Sequence, residues 1–81
     1  MSDLYIVYVV GQNVDMVDDP DVVVLDDGLY LVRSGQTRSQ LYHVIKRRTS
    51  PDQLLVAPLA DLPKFKGMKS GSLEKARRLA G

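Results

Sequence analysis

Asp21-Val-Val-Val-Leu-Asp-Asp-Gly-Leu-Tyr-Leu-Val-Arg33 is the stretch on which the architecture of this chain turns. Two runs of β-branched, aliphatic and aromatic residues flank Asp27-Gly28. A two-residue connection of that composition predicts a β-hairpin closed by a type I′ turn, because glycine tolerates positive φ freely and aspartate does so better than most residues. The flanking segments must then complete a sheet around the hairpin.

Upstream, Leu4-Tyr-Ile-Val-Tyr-Val-Val10 is dense in strand-favouring residues and stops at Gly11, which predicts a central strand buried on both faces. Between it and the hairpin, residues 12–21 are polar, acidic and broken by Pro20. They read as a surface loop with Val14, Met16 and Val17 as apolar anchors.

Downstream, Ser34-Gly-Gln36 ends the strand, and Thr37-Arg-Ser-Gln40 has the form of a capping box, in which the threonine hydroxyl and the glutamine amide satisfy free backbone N–H groups. A helix follows, with Leu41, Val44, Ile45 and Arg48 at helical spacing and Ser50-Pro51 as its stop. Leu54 to Leu59 reads as a short strand whose Pro58 suits a strand end or a sheet edge. Residues 60–71 form a connection carrying Pro63, Gly67 and Gly71. The last segment, Ser72 to Ala80, is a short helix with Leu73, Ala76, Leu79 and Ala80 as its apolar stripe.

The expected fold class is therefore α+β, in the order β-β-β-α-β-α, within one domain spanning residues 1–81. The hairpin is antiparallel, while strand, helix and strand in succession predict a right-handed crossover with parallel pairing, so a small mixed sheet is expected. Each helix has one apolar face, and both are expected on the same side of that sheet.

Size and composition exclude several functions. A chain of 81 residues fills one small core and leaves little room for a deep cleft. Without cysteine there is no disulfide framework, Fe–S cluster or cysteine zinc site, and the lone His43 supplies at most one imidazole ligand. No metal or other cofactor is expected. Leu4 to Val10 is far shorter than the ~20 apolar residues of a membrane span, and Asp3 stands where a signal peptide carries basic charge. A cytoplasmic domain with no membrane partner is the expectation.

The net charge of +1 conceals an asymmetry. Before Arg33 lie seven aspartates (Asp3, Asp15, Asp18, Asp19, Asp21, Asp26, Asp27) and no Lys or Arg, giving −7. From Arg33 onward all eleven basic residues face only Asp52, Asp61 and Glu74, giving +8. Such a split points to an anionic partner, or to opposite surfaces that meet each other.

Three basic segments carry the first reading. Arg33-Ser-Gly-Gln-Thr-Arg-Ser39 leads into a helix N-terminus, where free N–H groups and the helix dipole attract anions; Arg33, Thr37, Arg38 and Ser39 are its candidates. Pro63-Lys-Phe-Lys-Gly-Met-Lys-Ser-Gly-Ser72 sets Lys64, Lys66 and Lys69 around Phe65, a pattern that offers phosphate contacts and a ring for base stacking. In the alternative, Phe65 and Met68 turn inward and close the core. Lys46-Arg47-Arg48 at the end of the first helix suits the helix dipole and adds to a basic surface only if the segments share a face.

The leading expectation is thus a non-enzymatic module whose basic half binds a phosphate-bearing ligand, nucleic acid above all. A second is a regulatory or inhibitory adaptor that binds a protein through its acidic half, or self-associates by opposite charge or by edge pairing of strand 21–25 or 54–59. A third is a phosphodiester hydrolase centred on His43, four residues from Ser39 and flanked by Arg38 and Lys46. The acidic cluster Asp15, Asp18, Asp19 and Asp21 misses the spacing of a calcium loop.

Overall fold

A computed structural model of the chain describes residues 2–11 and 20–80. Its elements are β1 (Asp3–Val10), β2 (Val22–Asp26), β3 (Leu29–Ser34), α1 (Arg38–Thr49), β4 (Gln53–Leu59) and α2 (Ser72–Ala80). This is the α+β class and the β-β-β-α-β-α order that the sequence predicts. The pairing differs. The sheet runs β2-β3-β1-β4 and every neighbouring pair is antiparallel, so it is not mixed.

The reason lies in where β1 inserts. Because β3 and β4 are each antiparallel to β1, they run in the same direction, as a strand-helix-strand crossover requires. They do not pair because β1 lies between them, and a connection containing a three-turn helix readily steps over the ~10 Å of two strand spacings.

The helices also lie on opposite faces of the sheet rather than together. Leu41 and Ile45 of α1 meet Tyr5, Val7, Val9, Tyr30 and Val32 on one face. Ala76 and Leu79 of α2 meet Val23, Leu25 and Leu31 on the other. Alternation along each strand forces this division, since successive side chains point to opposite sides. Val22-Val-Val-Leu25 and Leu29-Tyr-Leu-Val32 are apolar without interruption, the pattern of strands covered on both faces, and that is the sequence signal for two separate helical layers. Burying Leu31 completely at the sheet centre stabilises the fold by about 1.5–3 kcal/mol.

Two further expectations are revised. β1 is buried on the α1 face, but on the α2 face Tyr8 is 42 % and Val10 36 % exposed, because α2 packs over β2 and β3 and does not reach them. The hairpin turn is not type I′. Gly28 has φ +75°, but Asp27 is not in the positive-φ region, and the β2–β3 register shifts between Val24 and Asp26. Leu25, skipped by that shift, accepts a hydrogen bond from Lys69 N–H (2.8 Å) instead. Aspartate escapes the cost of a left-handed backbone when a bulge supplies the extra residue.

Candidate nucleic-acid interface

The capping box forms as expected. Thr37, extended at φ −70° and ψ 163°, accepts from Gln40 N–H at its Oγ1 (3.2 Å), while Gln40 Oε1 accepts from Thr37 N–H (3.0 Å). At the other end Ser50 turns left-handed (φ 46°) and donates its N–H to the Lys46 carbonyl (3.0 Å), and Pro51 prevents continuation. The threonine and glutamine thus use, within the chain, two of the N–H groups that an anion at this terminus would have sought.

Leu41, Ile45 and Thr49 recur every four residues and are buried, which fixes the side of α1 that meets the sheet. The hydroxyl of Thr49 is satisfied by donating to the Ile45 carbonyl (2.9 Å). The remaining surface of the helix presents Arg38, Ser39, Gln40, His43, Lys46, Arg47 and Arg48, all exposed, and the helix contains no acidic residue. Arg47 Nε donates to the His43 carbonyl (3.3 Å), and Lys46 Nζ stands 6.0 Å from the centre of the Tyr42 ring. Gln36, Ser39, Gln40, His43 and Arg47 line a shallow groove along this side.

The other predicted contacts lie elsewhere. Arg33 projects to the α2 side, where its Nη1 donates to the Leu79 carbonyl (3.0 Å). Phe65 and Met68 pack against the α2-side core and pin the 60–71 connection to the sheet, which is the inward arrangement. Lys64 and Lys66 are exposed on that connection, and Lys69 pairs with Asp27 (3.2 Å). The basic residues therefore form two groups separated by the sheet, with Arg38, Lys46, Arg47 and Arg48 on one side and Lys64, Lys66, Lys69 and α2 on the other.

The two sides differ in how their charge is compensated. Among the described residues the ion pairs are Lys69–Asp27 and Arg78–Glu74, both on the α2 side, and no α1 cation pairs with a carboxylate. Part of the acidic N-terminal block is thus matched internally, where the hairpin meets the 60–71 connection.

His43 is exposed and its ring packs edge-on against Tyr42 (5.3 Å between centroids, 80° between planes). It is hydrogen-bonded neither to Ser39 nor to a carboxylate among the described residues. Val14, Asp15, Met16, Val17, Asp18 and Asp19 lie outside the described residues.

The sequence carries no signal for a cleft of about 300 Å³ between α1 and the β2–β3 end of the sheet; Val22, Val32, Leu41 and Ile45 form its apolar floor, with Ser34, Gln36 and Arg48 among its polar lining residues. It exists because α1 packs toward β4 and β1, leaving part of β2 uncovered on that face. No local motif encodes such an offset. Among the described residues, no helix is long and apolar enough to cross a membrane. Comparison with protein families, curated proteins and solved structures finds no match for this chain.

Proposed function

We propose that the chain is a non-enzymatic nucleic-acid-binding module whose working surface is the outward side of α1. One observation carries the reading: Lys46 and Arg47 stand exposed on the outward side, with Arg38 at the first turn and Arg48 at the rim of the cleft, on a helix without an acidic residue, and none of the four is neutralised by a carboxylate among the described residues. Structural cations usually acquire partners or face a helix C-terminus. Lys46, Arg47 and Arg48 do lie in the last turn, but Arg38 sits in the first, where the dipole disfavours it.

Cations on such a surface displace condensed counterions from phosphates, which supplies affinity without sequence preference. Between them Ser39 and His43 bring hydrogen-bonding groups of the kind that reach base edges. A helix of 12 residues is about 18 Å long and fits a duplex major groove about 12 Å wide.

The test is fluorescence anisotropy with mixed-sequence single- and double-stranded oligonucleotides over a series of salt concentrations. Binding that weakens steeply with salt, and that is lost on charge reversal in α1 but not in α2, supports the proposal. Absence of binding at low salt, or equal sensitivity to reversal on both faces, refutes it.

A further inference from the structure

The two edges of the sheet are unlike. Val9 N–H donates to the Gly28 carbonyl (2.8 Å), which continues the β1–β3 register by one pair beyond Tyr8↔Leu29. In an antiparallel ladder the backbone groups of alternate residues point to alternate sides. Asp3, Tyr5, Val7 and Val9 of β1 therefore bond to β3, and Leu4, Ile6, Tyr8 and Val10 bond to β4. Their partners there are Leu59, Ala57, Leu55 and Gln53. The outward backbone groups of β4 consequently belong to Leu54, Val56 and Pro58. Proline, which has no N–H, occupies a position where none is needed within the sheet.

Among the described residues nothing pairs with this edge. Its seven residues, Gln53 to Leu59, carry no charge, and Leu55 is 52 % exposed beside Tyr8 and Val10 on the same face. Edge strands are ordinarily protected by charge, bulges or cover. β2 has such protection: the register shift at Leu25 disrupts it, Lys69 N–H occupies the Leu25 carbonyl, and Asp21, Asp26 and Asp27 flank it. Among the described residues β4 has none of these protections, and Pro58 is the restriction on its pairing.

We infer that β4 pairs antiparallel with β4 of a second copy of this chain, in the register that sets Leu55 opposite the partner's Leu55. Outward-facing groups must meet outward-facing groups, so Leu54 of each copy pairs with Val56 of the other and both N–H groups find carbonyls. A shift by two residues toward the C-terminus places Pro58 opposite the partner's Leu54, whose carbonyl then has no donor. A shift the other way retains only the Leu54 pair. In the chosen register the two Leu55 side chains occupy a non-hydrogen-bonded site, where Cβ atoms approach to about 4.5–5.5 Å, and Tyr8 continues the apolar strip on either side. A two-fold axis perpendicular to the sheet relates the copies, which gives eight strands with both α1 helices on one face.

The inference does not depend on nucleic-acid binding, and the two respond differently to salt. Sedimentation equilibrium of the full chain at high micromolar concentration should give twice the 9.0 kDa monomer mass at both low and high salt. Leu55→Lys and Leu55→Glu should each give the monomer mass with an unchanged far-UV spectrum, and a 1:1 mixture of the two should restore the dimer, since position 55 faces itself. Leu73→Lys, at an exposed leucine on α2, should leave the dimer intact. In the wild type, amide exchange at Leu54 and Val56 should slow as concentration rises, while Leu55 and Ala57 stay protected throughout. A monomeric wild type, dimers that survive Leu55→Lys, failure of the mixture to associate, or fast Leu54 and Val56 exchange in the dimer would each overturn it.

Discussion

The guanidinium of Arg33 in β3 donates to the carbonyl of Leu79 in the last turn of α2, across 3.0 Å and 46 residues of sequence. Helix C-termini leave carbonyls without intrahelical donors, and a cation there complements both the hydrogen-bonding deficit and the helix dipole. Arg33 is thereby committed to holding the second helix on the sheet. Replacing it with alanine should lower unfolding stability by about 1 kcal/mol, read as a lower urea midpoint with unchanged slope. Oligonucleotide affinity should change far less than for substitutions in α1.

Gly28 is held by two constraints at once. Its φ is +75°, and a Cβ built there would lie 2.6 Å from the carbonyl oxygen of Val9, in the tight approach that also lets Val9 N–H reach the Gly28 carbonyl. Backbone atoms of a central strand have little freedom to retreat. Gly28→Ala should therefore cost about 2 kcal/mol or more, measured by chemical denaturation. A neutral outcome would mean the turn can reform with a different bulge.

The reciprocal bonds of Thr37 and Gln40 predict coupling. Thr37→Ala should cost about 1 kcal/mol and Gln40→Ala less. The double variant should cost less than the sum of the singles, because each residue satisfies a donor on the other. A double-mutant cycle by thermal or urea unfolding measures this, and strict additivity would show that the two bonds act separately.

On the proposed interface, Lys46→Glu and Arg47→Glu together should weaken oligonucleotide binding by an order of magnitude or more and reduce the slope of log affinity against log salt by about two, at roughly 0.9 per duplex phosphate contact. Lys75→Glu with Arg77→Glu, an equal change of charge on the opposite face, is the control. Net charge alone predicts the same loss from both pairs; a surface on α1 predicts it from the first only.

Local chemistry was legible except at the hairpin turn, where a register shift replaces the expected type I′ geometry. The strands, both helices, the capping box at Thr37 and the stop at Ser50-Pro51 follow from side-chain pattern and backbone preference, which operate over a few residues, and element boundaries lie within a residue of the expected ones. Pro58 marked a strand end or a sheet edge because its missing N–H is a property of the residue itself, and it lies in the edge strand β4.

Arrangement was decided in three dimensions. Nothing local in Leu4 to Val10 states that β1 inserts between β3 and β4, since the choice depends on which edges remain free once the hairpin has formed. The opposite placement of the helices was latent in the uninterrupted apolar runs of β2 and β3, but it took both covered faces to make that visible. The split of −7 and +8 along the chain is real in sequence, yet the fold divides the basic half between two faces and pairs Lys69 with Asp27. Charge adds along a chain without regard to geometry, whereas a surface is made only by side chains that the backbone brings to the same side. What the sequence by itself determined is the set of elements and the charge they carry; only the tertiary structure decided that the cations of α1 stand on one face of the sheet and those of the 60–71 connection and α2 on the other, because strand alternation sends the two helices to opposite sides.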